Sequence, residues 1–285
     1  MTPSKACGVI LLFVCTSYTK STGMASLFLA VWILRYAVVL IPFHLLPVDR
    51  NNSDEKDQDY DRCFLPHLWV LLFVSNVTDW YDSDVPSEHQ ILKGMATMLF
   101  THCVISEPLF YVSHRVLHRP SMYKRFHCIH HASRHTTSRT GSTLDSWEHL
   151  VYTLMFFPAS ISPHLTGTMC PELILIYFVV FDAMNVMGHC GVEFFPDWWY
   201  RTPLRYLIWT PSYHWIHHKF GKPVNLSLFM PFWDSMGGTY YPDMPGFFLE
   251  ASRAKNLAEL GPKSYLSTTG LRSGLRSGPR SGPRS

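Results

Sequence analysis

Histidine is the residue type that sets this sequence apart, and its spacing is ordered. Three blocks occur, His114-x3-His118, His127-x2-His130-His131 and His214-x2-His217-His218. With 16 histidines in 285 residues, an H-x-x-H-H block arises by chance only about 0.05 times in such a chain, and this one has two. Positions i, i+3 and i+4 share one face of a helix, so each block aims its imidazoles at one volume. Eight imidazoles brought together would repel if protonated and would strand donors if buried. As neutral rings they are good iron or zinc ligands.

His189, in Asn185-Val-Met-Gly-His189-Cys-Gly, closes an apolar helical stretch and makes a ninth candidate ligand. Asn185 lies one turn earlier on the same face, where it would hold a metal-bound water, orient a histidine or make a helix-end contact. Glu148 and His149 stand just before an apolar segment, where ionisable groups are functional candidates by default. His149 is a candidate tenth ligand, and Glu148 a candidate partner behind a ligating ring. Nine imidazoles exceed what one metal takes, so counting points to two metals. No Asp or Glu interrupts the blocks, as a binuclear zinc hydrolase would normally have, and redox-active iron beside membrane helices fits better. His44, His67, His89, His102, His135 and His164 lie outside the blocks and read as ordinary core, surface or interface residues.

The elements that must carry these rings are apolar. Hydrophobic residues make up 47% and charged residues 16%, a balance that leans towards a membrane protein, and a net charge of +3 gives no basic field for nucleic acid. Met24–Pro47 and Leu92–Val112 are long enough to cross a bilayer. Gly8–Cys15 has the length of a signal-peptide core without a clear cleavage site, and a retained first helix is expected. Leu65–Val74 is too short to cross and reads as interfacial or re-entrant.

Leu150–Ile161 and Leu173–Met187 flank a Pro/Gly turn, the pattern of a helical hairpin dipping through a membrane. Arg115, Arg119, Lys124, Arg125, Arg134 and Arg139 surround the first two blocks, which by the positive-inside rule face the cytosol. The polar loop Val48–Arg62 and the sequons at Asn51 and Asn76 would then suit the lumen. Seven cysteines show no repeated CxxC spacing and argue against a disulfide scaffold or a zinc ribbon. The Arg-Ser-Gly repeats of Leu271–Ser285 cannot bury a core. The expected fold is all-α, an integral membrane helical bundle of about four crossing or dipping helices under a cytoplasmic His-rich cap. Expected divisions are residues 1–91 for the first membrane helices and polar loop, 92–250 for the metal domain, and 251–285 for a low-complexity tail.

The blocks, in this order and spacing, resemble the fatty acid hydroxylase and sterol desaturase superfamily over roughly Glu107–Met244. More specifically, the strings DAMNVMGHCGVEFFP, LRYLIWTPSYHWIHH and NLSLFMPFWDSMGGT look like the catalytic half of the plant ECERIFERUM-type very-long-chain aldehyde decarbonylases. The resemblance implies a diiron centre held by His114, His118, His127, His130, His131, His189, His214, His217 and His218. It also implies a multi-pass endoplasmic reticulum membrane protein that takes electrons from cytochrome b5 or a reductase.

The wax enzymes carry a large soluble domain after this half, where the present sequence runs into a short tail. Asp145-Ser146 before Trp147-Glu148 is nearer to sterol side-chain hydroxylases than the His-Pro of many relatives. The substrate class stays open between fatty acyl, sterol and long-chain aldehyde, and the oligomeric state stays open as well. The expected function is O2-dependent oxidation of a lipid in lipid biosynthesis. Phe110, Tyr111, Trp209, Tyr213 and Trp215 lie near enough to the blocks to line a lipid slot, though helix packing or interfacial anchoring is the plainer reading. A non-enzymatic membrane zinc carrier, or a scaffold subunit of a lipid-modifying complex, is the alternative.

Overall fold

The computed structural model describes residues 87–133, 136–220, 223–254 and 256–260, with isolated positions 33, 34, 37, 38, 41, 45 and 46. The expected elements Gly8–Cys15, Val48–Arg62, Leu65–Val74, both sequons, His44, His67, His135 and the Leu271–Ser285 tail lie outside the described residues. Within Met24–Pro47, the described positions Ile33, Leu34, Ala37, Val38, Ile41 and Leu45 are helical.

Every extended element among the described residues is helical, and the only β-type pairing is an isolated bridge between Val192 and Asn256. Helix α1 (Glu88–Thr101) starts at a capping box in which Ser87 and Gln90 satisfy each other's backbone N–H groups. It runs through a π-helical turn (His102–Ser106) into α2 (Glu107–Leu117), the turn ending two residues before Pro108, which has no N–H to continue the regular ladder. Helix α3 (Ser146–Ile161) is capped by Asp145, whose carboxylate accepts from the Trp147 N–H at 2.9 Å. A 3₁₀ turn ending at Gly167, with φ +62°, leads into α4 (Pro171–His189). Three further helices follow: α5 (Pro211–Phe220), α6 (Phe232–Gly237) and α7 (Met244–Ala254).

Helix α1 packs against α3, α4 and the turn that joins them. At its contact with α4, a Cβ on Gly94 would stand 2.3 Å from the Leu173 Cδ1 methyl, so any larger residue would force that buried side chain to shift. Two described helical stretches, Glu88–Leu117 and Glu172–His189, are long and apolar enough to cross a membrane. The first exposes Leu92, Leu99, Phe100, Val104, Leu109 and Val112, an apolar outer surface that a soluble helix would cover with polar groups. Helix α3, at 16 residues, is shorter than a full crossing.

Beside the histidines lies an aromatic core in which Phe110, Tyr152, Phe156, Trp209, Tyr213, Trp215, Phe247 and Phe248 are buried together. Helix α7 runs past residue 250, the expected end of the metal domain, and Ala251 and Leu257 are both fully buried in this core.

Candidate metal centre

Five separate elements deliver the nine histidines. His114 and His118 stand on the last turn and C-cap of α2, and His127 ends a π-helical turn (Tyr123–His127). His130 and His131 open a short 3₁₀ turn, His189 is the last residue of α4, and α5 carries His214, His217 and His218. The middle block therefore does not lie on one regular helix as its spacing suggests. The Cys128 N–H reaches back five residues to the Tyr123 carbonyl at 2.8 Å, and this wider turn swings His127 relative to His130 and His131.

The rings gather as two adjoining groups. Imidazole nitrogens of His114, His118, His127, His131 and His217 lie within 4.8 Å of one another, and those of His130, His189, His214 and His218 do the same. In the first group, the Nε2 atom of His127 is 3.0 Å from those of His114 and His131 and 3.1 Å from that of His118. In the second, His214 Nε2 lies 2.8 Å from His189 Nε2 and 3.1 Å from His218 Nε2. Nitrogens bound at about 2.0–2.1 Å to one ion stand about 3 Å apart, which is the spacing seen.

The two H-x-x-H-H blocks are divided reciprocally. His127 and His131 go to the five-ring group and His130 to the four-ring group, while His214 and His218 go to the four-ring group and His217 to the five-ring group. Adjacent residues thus face different groups, and the rings of His131 and His218 meet at 4.6 Å where the groups adjoin.

Polar groups behind the rings fix their tautomers. Nδ1–H donates to a backbone carbonyl in His114 (Leu226, 2.7 Å), His217 (Val224, 2.9 Å), His130 (Thr143, 3.2 Å) and His189 (Asn185, 2.8 Å). In His127 it donates to Glu148 Oε1 at 2.6 Å. With Nδ1 protonated, a neutral ring leaves Nε2 as a bare lone pair. His114 and His127 therefore turn two lone pairs on each other at 3.0 Å, a repulsive arrangement that a cation between them converts into ligation. This donor set fits a metal.

Burial also keeps the rings neutral. It lowers His118 and His130 to about 4, with His130 adding to the effect on His118 and the Thr143 carbonyl opposing it on His130. It holds His127, His131, His214, His217 and His218 well below the ordinary range, reinforced by neighbouring histidines. Burial pushes Glu148 up to about 8, against the pull of the Tyr152 hydroxyl and with help from Asp145. Metal ligation requires these deprotonated imidazoles.

His149 is buried but belongs to neither group. It sits one residue after Glu148 on α3, about 100° round the helix. Asn185 supports His189 through its main-chain carbonyl, the ordinary i−4 acceptor of a helix end. Gly141 closes the space behind His189, since a Cβ there would lie 2.7 Å from its Nδ1. Outside the blocks, His102 is a buried core residue bonded to Tyr177 and Glu107, and His89 and His164 are exposed.

Four polar residues that carry this architecture escaped the sequence reading. Glu107, fully buried, accepts from the N–H groups of Phe229 and Met230. Glu193 accepts from the N–H and hydroxyl of Ser212 at the start of α5, and Asn225 and Asp234 organise the loop before α6. For the three acids the available signal was an acidic residue amid apolar neighbours, which marks a buried charge with partners; Asn225 gave none.

Residues 99–239 match the fatty acid hydroxylase family. Among curated relatives, the rice very-long-chain aldehyde decarbonylase GL1-7 (Oryza sativa subsp. japonica) is 39% identical over 151 residues, covering 52% of this chain and 24% of the relative. The Arabidopsis thaliana proteins CER1-like 1 and CER1-like 2 are each 36% identical, over 172 and 193 residues. These matches cover 60% and 66% of this chain and 27% and 31% of the relatives. The chain thus spans about a quarter to a third of the length of the relatives it matches. No solved structure matches it. Through residues 99–239, which contain all nine clustered histidines, the chain belongs to the fatty acid hydroxylase family.

Proposed function

We propose that this chain is a multi-pass membrane oxidoreductase that holds two iron ions among its nine histidines and acts with O2 on a lipid in lipid biosynthesis. The observation that carries the reading is the pair of adjoining groups of five and four imidazoles, buried except for the half-buried His118, with lone pairs turned inward in the first. His114, His118, His127, His131 and His217 would hold one ion, and His130, His189, His214 and His218 the other. An iron pair bound there would supply the reduction of O2 to an oxidant able to attack an unactivated lipid carbon. The family and the names of the relatives favour lipid oxidation over zinc carriage, and among fatty acyl, sterol and long-chain aldehyde they favour the aldehyde.

The chain's own residues bind, orient and exclude water. Main-chain carbonyls of residues 143, 185, 224 and 226 hold four rings in one tautomer, and Glu148 holds a fifth. Trp209, whose ring lies 4.4 Å from that of His214, covers the four-ring group from the side of the aromatic core. A sealed site of this kind keeps water from quenching a reactive oxidant.

Glu88–Leu117 and Glu172–His189 are assigned as membrane helices together with Met24–Pro47, which places the histidines where two of these helices end. Exposed Arg115, Arg119, Lys124 and Arg125 at that end favour the cytoplasmic face of the endoplasmic reticulum. From that face cytochrome b5 or a reductase would deliver electrons. Residues 92–250, extended through the buried Leu257, would form the diiron domain, with residues 1–91 as its membrane anchor and the segment after residue 260 as a tail. Self-association or a partner chain is compatible with this layout.

Elemental analysis of detergent-purified protein tests the reading. About two irons per chain, lost in the His217→Ala/His218→Ala double variant that removes one ligand from each group, together with reductant-dependent O2 consumption on a long-chain aldehyde, is the expected result. Stoichiometric zinc under iron-replete expression, or no bound metal, would refute it.

A further inference from the structure

Val224 and Leu226 flank Asn225 on the loop between α5 and α6, and both turn their carbonyls to the five-ring group. One accepts from His217 at 2.9 Å, the other from His114 at 2.7 Å, so a single short loop orients ligands from two different helices. The link between these carbonyls needs an unusual backbone. Asn225, at φ +54°, is the only non-glycine residue with positive φ among the described residues, a conformation that asparagine tolerates better than most side chains.

The same loop is tied on every side. Asn225 is fully buried, donates from Nδ2 to the Tyr213 carbonyl at 2.9 Å and accepts at Oδ1 from the Tyr241 N–H at 2.8 Å. Its own N–H donates to the Thr239 carbonyl at 2.8 Å. Asp234, also fully buried, accepts from the N–H groups of Leu226 (2.7 Å) and Ser227 (2.6 Å) and from the hydroxyls of Thr239 (2.6 Å) and Tyr213. Its charge is compensated entirely by directional donors, which gives the loop one allowed position. The four-ring group is backed differently. Its anchors are the carbonyls of Thr143 and Asn185, and the Nδ1 atoms of His214 and His218 have no hydrogen-bond partner among the described residues.

We infer that Asn225 and Asp234 are positioning residues for one metal only: their clasp sets the carbonyls that orient His114 and His217, and so governs the affinity of the five-histidine site independently of the four-histidine site. The inference rests on the two-metal reading above.

The test titrates metal-stripped, detergent-purified full chain with ferrous iron alone under anaerobic conditions, counting bound metal and following helix content by circular dichroism. In Asp234→Asn an amide faces the loop's N–H donors, and Asn225→Gly keeps the left-handed backbone while deleting the side-chain hydrogen bonds to Tyr213, Tyr241 and the Met244 sulfur. Either variant is expected to keep wild-type helix content and one tight equivalent, while the second weakens ten-fold or more. Adding His218→Ala to Asp234→Asn should abolish the remaining equivalent, whereas adding His118→Ala should remove nothing further.

Two tight equivalents retained in the folded variants, or equal weakening of both, would overturn the inference. Should Asp234→Asn fail to fold, Asn225→Gly decides alone. A wild-type chain that binds no iron would instead overturn the two-metal reading, and the inference with it.

Discussion

His127 donates from Nδ1 to Oε1 of Glu148 across 2.6 Å, and neither side chain has any solvent exposure. His127 is also the ring whose Nε2 lies about 3 Å from those of His114, His118 and His131, so this carboxylate stands directly behind the hub of the five-ring group.

Glu148→Gln keeps an acceptor for His127 but removes the carboxyl that a bound cation would ionise and that would then strengthen the basicity of the ring. Metal affinity of the five-ring group is expected to fall ten- to a hundred-fold, the range for carboxylates behind a ligating histidine. Glu148→Ala also strands a buried N–H, which costs about 1–3 kcal/mol of stability. Competition with a chelator of known affinity measures the first effect, and wild-type affinity in Glu148→Gln would contradict it.

Gly141→Ala is the counterpart on the other group. The added Cβ would come within 2.7 Å of His189 Nδ1 and 2.9 Å of Asn185 Nδ2, so the ring must move off its bond to the Asn185 carbonyl. Bound metal should drop by about one equivalent with helix content unchanged, as elemental analysis and circular dichroism would report. Full metal content would show that the ring accommodates the methyl group.

The metal-free chain should lose stability in acid. His118 and His130 stand at about 4 in the fold, against about 6.5 for an unfolded histidine. Between those values the unfolded chain binds more protons, so stability rises with pH across that window. It is complete above pH ~6.5 and declines as pH falls towards about 4, where protonated rings would repel across the cluster. Denaturant midpoints of the apo-protein at pH 7.5, 6 and 5 test the sign, and a midpoint that rises on acidification would be inconsistent with neutral, buried rings.

Glu193 secures the start of α5, the helix that carries three of the nine rings. Its Oε2 accepts from the Ser212 N–H at 3.0 Å and its Oε1 from the Phe195 N–H at 3.0 Å, and burial raises its pKa against these hydrogen bonds. Glu193→Ala leaves at least two buried donors without partners, a loss of about 2–6 kcal/mol at 1–3 kcal/mol each. Thermal unfolding followed by circular dichroism should show the drop, and an unchanged midpoint would mean that water replaces the carboxylate.

The sequence by itself determined which residues merit chemistry, because histidine spacing and apolar run length are local properties of a chain. It set apart the nine rings, a helical architecture, the two apolar helices on either side of the Gly167 turn and the membrane-length stretch that ends at the first block. Glu148 was legible for the same reason, as an acid at the edge of an apolar helix.

Tertiary structure alone decided how the rings divide. A helical register states which side chains share a face, but His118 and His217, whose Nε2 atoms lie 3.3 Å apart, are separated by 99 positions. Only packing brings α2 to α5, and it splits each adjacent histidine pair between two groups because neighbouring side chains on a helix diverge by about 100°. The same packing leaves His149 outside and gives His189 the main chain of Asn185 for support. Asn225 and Asp234, unremarkable in the sequence, stand behind the five-ring group because their partners come from separate segments, around residues 213, 226 and 240, that meet only in the fold.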